Sequence, residues 1–286
     1  MSKSVRVTSQ IARYLMLLPG LVIVTLGVLV PLAFTLVMSF YKVAYPSYIP
    51  EFTIENYIRA LTNPQNWQIL RNTLELSLVT CLICFLLAYP TAYTISFVIK
   101  NPRIKTYIMT LLLIPFLIDW SIRCIAWVPI LGERGLVNSL LVALGFTPQR
   151  VLLTRLGLYI IWLQTYVLFM IFPIYLAMER IPLDYIRAAQ VLRASPWKYQ
   201  YHIIFKLSRP GIVCGWAFVF ICTLGDYATP SLWAGGIQTL GLSVARYTLE
   251  FIWPRAAALS TFLILITLIV MIILVKWGQI MKLVGE

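Results

Sequence analysis

A chain of 286 residues that is 60% hydrophobic and 12% charged is far more apolar than a soluble domain, where roughly 45–50% apolar and about 25% charged residues are usual. Its mean hydropathy of +0.86 excludes a soluble globule of this size. The formal charge of +13 does not mark a nucleic-acid binder, because the basic residues lie in short clusters between apolar stretches and not along one polar face.

The pattern predicts an all-α integral membrane protein, a single transmembrane domain over residues 1–286. Its spans are expected at about 14–40, 72–99, 106–131, 156–178, 212–233 and 256–277, each long enough for a hydrocarbon core of roughly 30 Å. Backbone groups in lipid must pair within their own segment, and continuous apolar runs without two-residue alternation point to helices and not to a barrel. Lys3, Arg6 and Arg13 ahead of an apolar run mimic a signal peptide. The run extends to Phe40, too long for such a leader, and reads as a retained first span.

In the loop that follows, residues 41–71, Thr53 is placed to cap a short helix carrying Ile54, Tyr57, Ile58 and Leu61 along one side. The second span opens with Glu75, four residues after Arg71, and holds Cys81 and Cys84 among Leu82, Ile83 and Phe85. Such thiols read as small buried side chains, not as a redox pair. In the third span Asp119 and Arg123 share a helix face at four-residue spacing, as a structural ion pair or as lining of a solute path.

The fourth loop, 179–211, is the largest segment on its side and the most basic. From Asp184, the expected N-cap, to Ser195-Pro196 it reads as a short helix with Ile186, Ala189 and Leu192 on one face. Pro210-Gly211 reads as a break before the fifth span. Near that span's far end Asp226, with no local partner in the sequence, sits beside Tyr227 and close to Trp233, a carboxylate among aromatic faces that suits an organic cation.

Lys and Arg divide fourteen to eight between the two sets of ends and loops, which places both termini and the fourth loop in the cytoplasm. Catalytic motifs are missing: one histidine, no H-E-x-x-H, no G-x-S-x-G and no Gly-rich loop ending in Gly-Lys-Ser/Thr. The chain is therefore not expected to be an enzyme or to hold a cofactor of its own, and any ATP must act through a partner.

The segment Tyr185, Ile186, Arg187, Ala188, Ala189, then Val191, Leu192, Arg193, Ala194 and Ser195, closed by Pro210-Gly211-Ile212, resembles the cytoplasmic coupling loop of binding-protein-dependent ABC permeases. Arg187 stands where that family usually has Glu, and Arg193 where it usually has Gly. Pro115-Phe116 with Ser121-Ile122-Arg123 and Ala126-Trp127, the run Leu224 to Leu232 with Gly235-Gly236, and Trp253-Pro254 are similar to the spermidine/putrescine branch.

This resemblance implies a type I ABC importer permease fold in the bacterial inner membrane. The chain would form half of a translocation path for a small organic solute, a polyamine such as spermidine or putrescine. Another amine, an amino-acid derivative, an opine or a phosphonate are the alternatives. The implied partners are a second, paralogous permease subunit, two ATPase subunits carrying ATP and Mg, and a periplasmic or lipid-anchored binding protein. Residues 185–195 would couple to the ATPase, and Asp119, Arg123, Asp226 and Tyr227 would line a path or gate. A secondary transporter is the rival from another class. It predicts an inverted repeat, and none is visible.

Overall fold

The computed structural model of the protein describes residues 18–45 and 47–283, with side chains to residue 278. Lys3, Arg6, Arg13 and the expected start of the first span at Tyr14 lie outside them. The chain divides into two compact units, Met1–Asn63 with Val244–Phe262, and Pro64–Ser243 with Leu263–Glu286.

In the first unit, α1 (Leu18–Met38) carries a wide π-turn at Thr25–Leu29 just ahead of Pro31, and its apolar surface is exposed throughout. A hairpin follows, β1 (Tyr41–Ala44) antiparallel to β2 (Ser47–Phe52), with Lys42 opposite Ile49 and Ala44 opposite Ser47. Then comes α2 (Glu55–Thr62). Thr53 accepts from the Glu55 amide at 3.2 Å, one position ahead of the N-cap Ile54. Asn56 is the anchor: buried, it donates to the carbonyls of Ser39 (2.9 Å), the C-cap of α1, and of Tyr41 (2.8 Å), the first residue of β1.

The second unit is built on three long helices: α3 (Pro64–Val98), α8 (Arg155–Glu179) and α10 (Pro196–Gly225). Leu76, Cys81, Cys84 and Ala88 of α3 share one buried cluster with Trp162, Ile174 and Met178 of α8 and Ile212 and Phe220 of α10. Cys81 and Cys84 are free thiols in this core. Lipid tails are as apolar as leucine, so what holds such helices together is close van der Waals fit. Gly211 and Gly215 supply it. A Cβ at the first would collide with the Pro173 carbonyl of α8, and one at the second with Met170.

Pro210 therefore does not break the fifth span as expected. It lies inside α10, which begins sixteen residues before the expected start at 212 and passes through a π-turn at Gln200–Phe205. Helix-interior prolines are tolerated in membrane spans where widened turns re-space the carbonyls. The loop between the fourth and fifth spans is correspondingly shorter than 179–211.

The expected continuous third span at 106–131 is also corrected. Residues there form α4 (Pro102–Leu113), a 3₁₀ turn at Ile114–Leu117, α5 (Trp120–Ile125), α6 (Val128–Leu131) and α7 (Leu136–Ala143), and the apolar stretch long enough to cross a membrane is Trp120–Ala143. Pro115 removes an amide donor and Asp119 starts a new helix, so the chain cannot run straight through. After the fourth span come α9 (Leu183–Val191), then, beyond α10, α11 (Ala228–Trp233), α12 (Leu240–Leu249) and α13 (Trp253–Leu283). Among the described residues six helical stretches are long and apolar enough to cross a membrane.

Candidate functional site

The short helix α9 hangs from the end of α8 by Ile181-Pro182. Its N-cap is Pro182 and not Asp184, which lies in the first turn and pairs with the Arg187 guanidinium at 3.1 Å on the exposed face. Ile186 packs against the core and Ala189 is buried, so these two form the inward face as expected. Leu192 does not join them. It is 82% exposed, as are Val191 and Trp197, with Tyr185 at 53%. Ala188 is exposed as well.

The reason is the way α9 ends. Arg193 has φ +55°, its amide donates to the Gln190 carbonyl at 2.9 Å, and the Ala194 amide donates to the Ala189 carbonyl at 2.9 Å. This is a Schellman termination, which calls for a left-handed residue at the position Arg193 holds. An L-residue with a Cβ there costs roughly 1–2 kcal/mol. The turn swings Val191 and Leu192 outward, and Ser195 then stands at the N-cap of a helix whose first residue is Pro196. Trp197 was missed by sequence reasoning. An aromatic one residue after a helix-starting proline, in an otherwise basic stretch, is the signal that marks it.

At the other end of the second unit Asp226 is not unpaired. Its Oδ2 accepts from Trp162 Nε1 (2.7 Å), the Tyr166 hydroxyl (3.1 Å) and the Thr229 hydroxyl (2.5 Å), and its Oδ1 from the amides of Ala228 (3.0 Å) and Thr229 (3.1 Å). Five donors fill the roughly four lone-pair sites of a carboxylate. The residue thus ends α10, starts α11 and ties both to α8. Tyr227 beside it is 55% exposed.

Asp119 and Arg123 do not pair either. Asp119 turns back to accept from the amides of Ser121 (2.8 Å) and Ile122 (3.4 Å), capping α5, while Arg123 keeps buried Nε and Nη1 atoms without a hydrogen-bond partner among the described residues. Glu75 pairs with Arg155 of α8 at 2.5 Å and not with Arg71, four residues before it in the same helix.

Arg155 also donates to Asn72 at 3.0 Å, and both residues line a polar pocket of about 390 Å³ with Gln65, Gln68 and Gln238. Next to Asn72 in the chain, the buried Thr73 hydroxyl accepts from the Leu240 amide at 2.9 Å and ties α3 to the start of α12. Among the described residues no group of three or more His, Cys, Asp or Glu side chains is placed to hold a metal ion.

Six apolar helices, an exposed short helix on a loop between two of them and a backbone built for close helix packing define a multi-pass permease subunit of an ATP-binding-cassette importer, a transporter component and not an enzyme. The chain belongs to the family of binding-protein-dependent transport system inner membrane components, whose model matches residues 86–279. It is a component of the bacterial inner membrane, and such components work with a separate ATPase, a binding protein and another permease subunit.

The spermidine/putrescine transport system permease protein PotB of Haemophilus influenzae is 29% identical over 238 residues, 82% of each chain. PotB of Escherichia coli K12 is 30% identical over 232 residues, 79% of this chain and 82% of that one. Among solved structures, the bacterial alginate ABC transporter in complex with an alginate pentasaccharide-bound periplasmic protein has a chain that matches with TM-score 0.73 at 18% identity, over 94% of both chains, and so shares the fold.

Proposed function

We propose that this chain is one half of the translocation path of an ATP-driven polyamine importer, and that α9 with its left-handed exit is the part that docks on the ATPase. The observation that carries the coupling assignment is a set of exposed apolar side chains, Tyr185 and Val191 on a short helix anchored by Ile186 and Ala189, Leu192 at its cap and Trp197 just beyond it at the start of α10. An isolated apolar set of this kind on a polar loop fits a protein partner. ATP and Mg belong to that partner, two copies of it. A paralogous permease subunit completes the path, and a periplasmic or lipid-anchored binding protein delivers solute at the pocket of Gln65, Gln68 and Gln238. The excess of Lys and Arg puts α9 and both termini in the cytoplasm.

The polyamine reading rests on the likeness to PotB over most of the chain. Asp226 does not add to it, since its oxygens are already saturated. Its part is to hold Tyr227 and α11 in place at the path, and Arg123 on α5 is the chain neighbour of Cys124, whose thiol lies 3.9 Å from the Thr229 hydroxyl of α11.

The test is uptake by proteoliposomes holding the complete importer with its binding protein. ATP-dependent spermidine or putrescine uptake is expected, and its loss in the Val191→Asp/Leu192→Asp variant with the permease pair still assembled. ATP-coupled uptake that survives this double change would sink the coupling assignment. A binding protein and complex that move another solute but no polyamine would sink the substrate.

A further inference from the structure

We infer that the second unit carries a binding site for an anionic phospholipid, in the cleft between the end of α8 and the middle of α10, with Arg180 as the headgroup ligand. The cleft measures about 530 Å³, inside the roughly 300–1,000 Å³ range of small-molecule pockets. Its walls are Phe172 and Leu176 of α8 and Leu207 and Phe218 of α10, with Cys214 midway along. Three of these, Leu176, Leu207 and Phe218, are 57%, 45% and 48% exposed, so the groove lies open on the surface of two membrane-spanning helices. The close approach at Gly211 and Gly215 draws the backbones together and leaves the flanking side chains as ridges with the groove between them.

Charge decides what fills it. The span of α8 ends at Glu179, so Arg180 on the rim stands at headgroup depth. The carboxylates near it in the chain already have cations: Glu179 is held by Lys105 Nζ at 3.0 Å, and Asp184 by Arg187 at 3.1 Å. Arg180 makes no ion pair among the described residues. An anion from outside the chain complements it, and a free anion would leave the apolar walls bare. A phospholipid with a net negative headgroup brings the charge and the acyl chain on one molecule. Basic pockets between membrane helices take such headgroups. Pro182 and Tyr185 line the same cleft, so a lipid there would touch the root of α9. That consequence, unlike the binding itself, rests on the coupling role proposed above.

The experiment is native mass spectrometry of the complete importer, purified with its partner subunits from mixed phosphatidylglycerol and phosphatidylcholine. The wild type is expected to retain phosphatidylglycerol over phosphatidylcholine by about fivefold, the worth of one basic residue at an anionic surface. Arg180→Gln should bring that ratio near one, and Arg180→Lys should restore most of it. Cys214→Trp, which fills the groove and leaves the charge, should abolish retention of both lipids, with Cys214→Ala as the control for loss of the thiol.

Equal retention by wild type and Arg180→Gln would overturn the inference. So would full retention by Cys214→Trp, since the lipid would then be held by surface charge alone, and so would absence of retained lipid in the wild type, the result expected if the second permease subunit covers the groove. None of these readouts depends on ATP hydrolysis, so failure of the coupling assignment and failure of the lipid site are separable.

Discussion

Asp226 illustrates how far a residue's chemistry depends on partners distant in sequence. Trp162 and Tyr166 lie more than fifty positions upstream, and their N–H and O–H both end on Oδ2. Replacement by Asn conserves shape yet places an amide NH₂ against donors. Tyr166 and Thr229 can rotate their hydroxyls to accept, but the indole N–H donates only. Turning the amide over instead removes the acceptor for Ala228 and Thr229. Asp226→Asn is therefore expected to destabilise the second unit by on the order of 2 kcal/mol, read as a lower thermal midpoint of the purified complex. An unchanged midpoint would return Asp226 to the role of a charge that serves passing solute. Arg193 gives the opposite sign: Arg193→Gly relieves a left-handed Cβ and should stabilise the protein by roughly 1 kcal/mol, checked by the same melt. A midpoint that falls would mean the guanidinium makes a contact worth more than the strain.

The element scale separates what was legible in the sequence from what was not. Spans two, four, five and six announce themselves because an apolar run of sufficient length in lipid has only the helix open to it. Their ends were less legible: Pro64 starts α3 well before Asn72, and α10 runs through Pro210. Pro210 read as punctuation, yet it sits where the wide turn just before it lets the helix absorb it. The region from Pro102 to Ala143 hid more, since apolar content alone does not reveal that Pro115 and Asp119 reset the backbone. The hairpin at Tyr41–Phe52 was unreadable because its strands lack clean alternation.

One signal that was present went unread, Gly211-Ile212-Val213-Cys214-Gly215, a small-residue spacing that marks close helix approach in membranes. Gly211→Val should drive α8 and α10 apart at the Pro173 carbonyl, a backbone obstacle that cannot rotate away. The expected cost is about 1–3 kcal/mol or more, with less folded complex recovered. Gly215→Ala meets a methionine side chain and should be tolerated better. Equal recovery of Gly211→Val and wild type would mean that the two helices are not packed this tightly.

For the whole molecule, the arrangement of charge about the six spans is a prediction about which side of the membrane each end of the site faces. The coupling reading requires α9 to meet a cytoplasmic ATPase, and the polar pocket of Gln65, Gln68 and Gln238 to face the opposite compartment. Arg180, Arg187, Arg193, Lys198 and Lys206 cluster around α9, whereas the connection from α7 to α8 carries few cations relative to its length. Two exposed positions report on the two sides: Ser195 after α9 and Thr147 between α7 and α8. The native thiols do not interfere once replaced, and three of the five are buried in any case. On that background, in intact cells and with a membrane-impermeant thiol reagent, Thr147→Cys should label and Ser195→Cys should not, the pattern reversing for Ser195→Cys when the membrane is opened. Labelling of Ser195→Cys in closed cells would turn the protein over, remove α9 from reach of any cytoplasmic ATPase and leave its exposed Val191, Leu192 and Trp197 in need of a partner on the other side.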